Sequence, residues 1–154
     1  MINIIQKILI GLIAVPFVIA LIPVFLLIFI YSILLKVYIR IRLWVEWPKG
    51  TYVLFAYSES ENWSDYIEEN ILPRIAAHSR VINRTIDQNW KQKYRREKQA
   101  IEYWASLNIN PVAIVFRAWR PATVIPFYEA FRDLKHGKEN AINAKCKELY
   151  SVCQ

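Results

Sequence analysis

From Ile8 to Leu35 the chain carries no charged residue, and nothing else in its 154 residues restricts the fold as strongly. As a helix this run of about 28 residues reaches roughly 42 Å, against a hydrocarbon core of about 30 Å. It is long enough to cross a bilayer once, with tilt. A helical hairpin needs two apolar stretches of about 20 residues and a polar turn between them, and Pro16 or Pro23 alone supplies neither. A cleaved signal peptide has a shorter apolar region and then a small-residue site, whereas this run leads into Lys36-Val-Tyr-Ile-Arg40-Ile-Arg42. The expected organisation is an anchor and juxtamembrane segment over 1–47, with a span at about 8–35, followed by one α/β domain over 48–154.

Lys7 flanks the run on one side, and Lys36, Arg40, Arg42 and Lys49, against Glu46, flank it on the other. Basic flanks stay in the cytoplasm, which predicts a single-pass membrane protein with a cytoplasmic C-terminal domain. Residues 1–50 hold five basic residues and one acidic one, more than half of the net +7. Tyr31, Tyr38, Trp44 and Trp47 cluster around the exit, where amphipathic rings favour the headgroup layer.

Beyond Pro48-Lys-Gly50 the patterning is globular. Thr51 to Tyr57 is β-branched and aromatic with few polar positions, hence a central strand. Asn62 is a plausible helix start, and Trp63, Tyr66, Ile67, Ile71 and Ile75 recur at helical spacing to about Ala77. Arg80–Ile86 reads as a second strand, and Trp90–Leu107 as one uninterrupted helix. Pro111–Arg117 is a third strand and Ala122–Ile125 a fourth. Only Ala118-Trp-Arg-Pro121 lies between them, too short for a crossover, so they must pair antiparallel. A helix from Phe127 stops at His136-Gly137, and a last amphipathic helix carries Ile142, Cys146, Leu149 and Cys153.

With the order βαβαββα, Val53-Leu54 entering a loop and helix, and Asn110-Pro111 preceding strand three, residues 51–150 resemble the thioredoxin-like superfamily. The resemblance implies a cis-proline at Pro111 and a cysteine pair at the places of Glu61 and Ser64. Neither residue forms a thiolate, so the likeness implies fold without redox activity. The loop that ends strand one, with Ser58, Ser60, Glu61, Trp63 and Ser64, together with Pro111, is one candidate site, where a pocket would be sought.

Other chemistry is sparse. Cys146 and Cys153, seven apart, match neither a redox pair nor paired zinc ligands, and on one helix they would lie two turns apart. Ser58 and Ser60 have acidic neighbours, but no histidine lies near in sequence and there is no Gly-x-Ser-x-Gly elbow. His78 and His136 fall near helix ends. Glycines stand only at 11, 50 and 137, so no glycine-rich phosphate loop exists. No metal, no cofactor and no catalytic residue is expected. Asn62-Trp-Ser64 and Asn83-Arg-Thr85 match the glycosylation triplet, which a cytoplasmic location leaves unused.

The densest positive stretch is Arg84, Lys91, Lys93, Arg95, Arg96 and Lys98, against Asp87 and Glu97. A continuous helix would put Lys91, Arg95 and Lys98 on one face. Trp119 between Arg117 and Arg120 offers a ring for stacking. Two functions follow. One is a redox-inactive interaction or scaffold module with a protein partner, held at the bilayer and its anionic headgroups. The alternative is a tethered sensor or enzyme that binds an anionic small molecule, nucleotide or headgroup through Lys91, Arg95, Lys98, Arg117, Trp119 and Arg120. Nucleic acid is the less favoured polyanion, and the oligomeric state stays open.

Overall fold

The computed structural model describes Ile4–Cys153 apart from Trp119, with side chains from Val18 onward. The chain divides into two compact units between Tyr38 and Ile39, nearer the N-terminus than the boundary at residue 47 expected from composition.

The first helix, α1 (Ile4–Glu46), runs through Pro16 and Pro23. Its stretch Val18–Glu46 is, among the described residues, the one helix long and apolar enough to cross a membrane.

The second unit is mixed α/β. Its strands are β1 (Val53–Tyr57), β2 (Ser79–Asn83), β3 (Val112–Val115) and β4 (Thr123–Pro126). They form one sheet in the order β2-β1-β3-β4. β1 and β2 are parallel, Val53 opposite Ser79, as the intervening helix requires. β3 runs antiparallel to β1 and β4, with Ala113 opposite both Phe55 and Ile125, so the short connection yields the expected hairpin. Every residue of β1 and β3 is buried, which explains their unbroken apolar runs: both faces are covered.

On one face lie Val53, Phe55, Ala113, Val115 and Ile125, packed with residues of three helices: α2 (64–78), α4 (Tyr128–Lys135) and α5 (Asn140–Tyr150). α2 is composite. It begins α-helical at Ser64–Tyr66, widens to a π-turn over Ile67–Ile71, returns to α over Leu72–Ile75 and closes as 3₁₀ over Ala76–His78. The wide turn accommodates Pro73: Leu72 N–H reaches back to the Ile67 carbonyl, and the missing Pro73 donor falls at the start of the next α-turn. Trp63, not Asn62, stands at the N-terminal boundary.

Alternate residues Leu54, Ala56, Val112 and Ile114 face the opposite side. There α3 (90–104) supplies buried Trp90, Ala100 and Ile101. α3 is not the uninterrupted helix expected: it comprises Trp90–Lys93 and Arg95–Trp104, broken at Tyr94, whose ψ of 48° leaves the helical region. Tyr94 instead sets its ring under the guanidinium of Arg80 and the ammonium of Lys93.

The last two turns of α1 belong to this unit. Ile39 and Leu43 are each 2% exposed and Trp47 8%. Trp47 meets the Phe116 ring edge-on, with centroids 5.9 Å apart, and Trp104 meets the same ring. Trp47 Nε1 donates to Glu97 Oε1 at 3.1 Å, Arg40 donates to the Arg120 carbonyl at 2.6 Å, and Glu46 pairs with Arg96. The placement of Trp47 in the headgroup layer is therefore corrected: its ring is part of the domain core. An indole wants an apolar body and one acceptor, and Glu97 with the Phe116 face supplies both.

Candidate functional site

Three chain segments meet at the end of the sheet where β1 and β2 finish and β3 begins. Ser58, just beyond β1, accepts a hydrogen bond on Oγ from Asn110 Nδ2. The Asn110–Pro111 peptide is cis. The Ser58 carbonyl accepts from Trp63 Nε1 at 2.7 Å. Ser60 N–H donates to Ser64 Oγ at 2.7 Å, and Ser60 Oγ accepts from the backbone and side-chain amides of Asn62. Trp63 packs against Tyr128 and Phe131. Glu61 is exposed. The structure thus brings Ser58, Ser60, Trp63 and Ser64 together with Pro111. It adds Asn110, which sequence reading missed although it directly precedes Pro111.

The groups that hydrogen-bond one another here are hydroxyls and amides. None of the three serine hydroxyls hydrogen-bonds a histidine or a carboxylate among the described residues, so none has the adjacent base that activates a nucleophile. Ser64 Oγ, at one of the two positions where the resemblance puts a cysteine, is engaged in closing its own turn.

On the β2 side Arg84 lies half-buried. Its N–H meets the Tyr57 carbonyl, Nη1 reaches the Leu107 carbonyl at 2.9 Å, and the guanidinium stands over the Trp90 ring. Nε and Nη2 are buried without an acceptor, and burial pulls its pKa below the ordinary arginine value.

The predicted basic residues are not carried by one continuous helix. The break at Tyr94 puts Lys91 in a different helical segment from Arg95 and Lys98. Lys98 pairs with Glu102 at 2.8 Å and Lys93 with Asp87 at 2.9 Å, the latter contact drawing the Asp87 carboxyl below its ordinary range. Lys91 and Arg95 are exposed. Arg117 donates to the Ser151 carbonyl, and Arg120 is exposed. Trp119 lies outside the described residues.

A groove of about 570 Å³ lies elsewhere, between α2 and α5, lined by Tyr66, Asn70, Arg74, Cys146, Lys147 and Tyr150 among others. It contains none of the predicted ligand residues. Tyr150 donates to the Asn70 carbonyl at 2.8 Å beneath the Arg74 guanidinium. Burial raises the Cys146 thiol above the ordinary range. The cysteines do not share a helix face as expected: α5 ends at Tyr150, and Cys153 lies in the following turn, its pKa raised by burial and lowered in part by Arg117 and Tyr52. Both are free. Among the described residues no cluster of three or more His, Cys, Asp or Glu could hold a metal ion.

No protein-family model, no curated protein and no solved structure matches this chain.

Proposed function

We propose that this chain is a single-span membrane protein whose C-terminal domain, facing the cytoplasm, is a thioredoxin-like module without thiol chemistry that binds a protein partner. The strand order β2-β1-β3-β4 with one parallel and two antiparallel pairings supports the fold reading. The Val18–Glu46 helix supports the span, and the excess of Lys36, Arg40, Arg42 and Lys49 over Lys7 supports the orientation.

The observation that carries the functional reading is the bond from Asn110 to Ser58. It closes the two loops of the sheet end on each other through an amide and a hydroxyl. Such a loop pair on a rigid sheet is suited to recognition. The anionic-ligand alternative gains no support, since its charges are spread over α3 and the β3–β4 loop and one of them, Lys98, is already paired with Glu102.

Three measurements test the reading. A reporter fused to the C-terminus should be active only in the cytoplasm; activity solely on the other side reverses the topology. The protein should not reduce insulin, and reduction that Cys146→Ala or Cys153→Ala abolishes would restore an oxidoreductase. A photo-crosslinker replacing Glu61 should give a discrete protein adduct in intact membranes, lost on Trp63→Ala. The same adduct from a crosslinker at Lys145 would remove the sheet end as the binding site.

A further inference from the structure

The last two turns of α1 have two apolar faces, and the domain uses only one. Ile39, Leu43 and Trp47, spaced by four, are buried in the domain, whereas Ile41, Trp44 and Val45 are 53%, 81% and 69% exposed. At 100° per residue the centres of the two sets lie on opposite sides of the helix. A surface that leaves a tryptophan and two branched aliphatic residues adjacent to one another is a contact surface awaiting its partner.

We infer that the Ile41–Trp44–Val45 face docks on the bilayer at the boundary between headgroups and acyl chains, so that the folded domain itself, and not a linker, sets where the chain leaves the membrane. This inference rests on the membrane-span reading. Three observations choose lipid as the occupant. Ile41, Trp44 and Val45 fall within the stretch Val18–Glu46 that is long and apolar enough to cross a membrane. The opposite side of the same turns carries Arg40 on the Arg120 carbonyl and Glu46 on Arg96, charged groups that cannot enter hydrocarbon without large cost. These turns therefore belong at the interface. Trp44 then has the amphipathic ring favoured at that depth.

Depth-resolved quenching tests this on the full chain in phosphatidylcholine nanodiscs. The emission lost on Trp44→Phe reports Trp44 alone, and that exposed site leaves the fold intact. The expected result is strong quenching by lipids brominated close to the glycerol backbone, weaker quenching by lipids brominated near the chain ends, and little quenching by aqueous iodide. Iodide quenching without bromolipid quenching overturns the inference, and so does maximal quenching by the deepest bromines. A tryptophan introduced as Phe25→Trp separates the two readings. If its emission is quenched by deep bromines while Trp44 answers only to iodide, the span stands and this docking face falls; if it too escapes every bromolipid, the span reading itself has failed.

Discussion

Removing the Trp47 ring should unfasten the last turns of α1, residues 39–46, from the rest of their own unit, and the structure gives the scale of the effect. The side chain is almost wholly enclosed, meets Phe116 edge-on and donates to Glu97. Truncating a core aromatic to alanine costs about 3 to 5 kcal/mol. The change also removes one donor from Glu97, itself 8% exposed. Arg80, with Nε 3.6 Å from the same carboxylate, retains part of that partnership, so roughly 1 kcal/mol is a fair addition for the weakened hydrogen bonding. A total of about 4 to 6 kcal/mol compares with a whole-domain stability of about 5 to 15. For a domain of this size the thermal midpoint should fall by more than about 10 °C. Trp44→Ala, three residues earlier on the exposed side, should stay within about 0.5 kcal/mol. Near-ultraviolet circular dichroism of the full chain in neutral detergent, followed through thermal unfolding, compares the two. Equal effects from both substitutions, or a Trp47→Ala midpoint unchanged within error, would refute the account of Trp47 as a core residue.

Phe131, 1% exposed and in contact with Trp63, Tyr66 and Phe127, should cost about 3 to 5 kcal/mol on change to alanine, read from the denaturant midpoint. Burial holds Cys146, Cys153, Tyr52, Tyr66 and Tyr150 protonated above their ordinary ranges. The folded chain therefore keeps protons that the unfolded chain releases. Its stability should be full below about pH 8.5 and decline as pH rises through the thiol and phenol ranges, and Cys146→Ala, Cys153→Ala should delay the onset in a pH series of thermal midpoints. Arg84→Met, which removes two buried nitrogens without acceptors at the loss of the single Nη1 bond to the Leu107 carbonyl, while keeping the aliphatic stem against Trp90, should change stability by less than about 1 kcal/mol. Arg84→Ala should cost more because the packing goes too, and urea titration of both separates the contributions.

Local pattern alone accounts for much of this architecture. The uncharged run from Ile8 to Leu35 lies within the one helix α1, and from Val18 onward its large apolar side chains are mostly exposed. Fully apolar Val53–Tyr57 and Val112–Val115 could only be strands covered on both faces, and four connecting residues left antiparallel pairing as the sole course for β3 and β4. These features depend on period, run length and chain reach, which are properties of consecutive residues.

What the tertiary structure decided is which partner each side chain found. Trp44 and Trp47 look alike in sequence, each apolar with one donor, yet one is exposed and the other meets Glu97 and Phe116 some fifty or more residues away. Tyr94 fits a helical stripe, yet the helix breaks there and its ring stands against two cations, Arg80 of β2 and Lys93 of its own turn. The basic stretch reads as one electropositive face until Glu46, Asp87 and Glu102 pair with Arg96, Lys93 and Lys98. Asn110 and Ser58 carry no mark of their bond. A side chain's polarity states what kind of contact it needs, and only the folded chain brings residues far apart in sequence close enough to supply it.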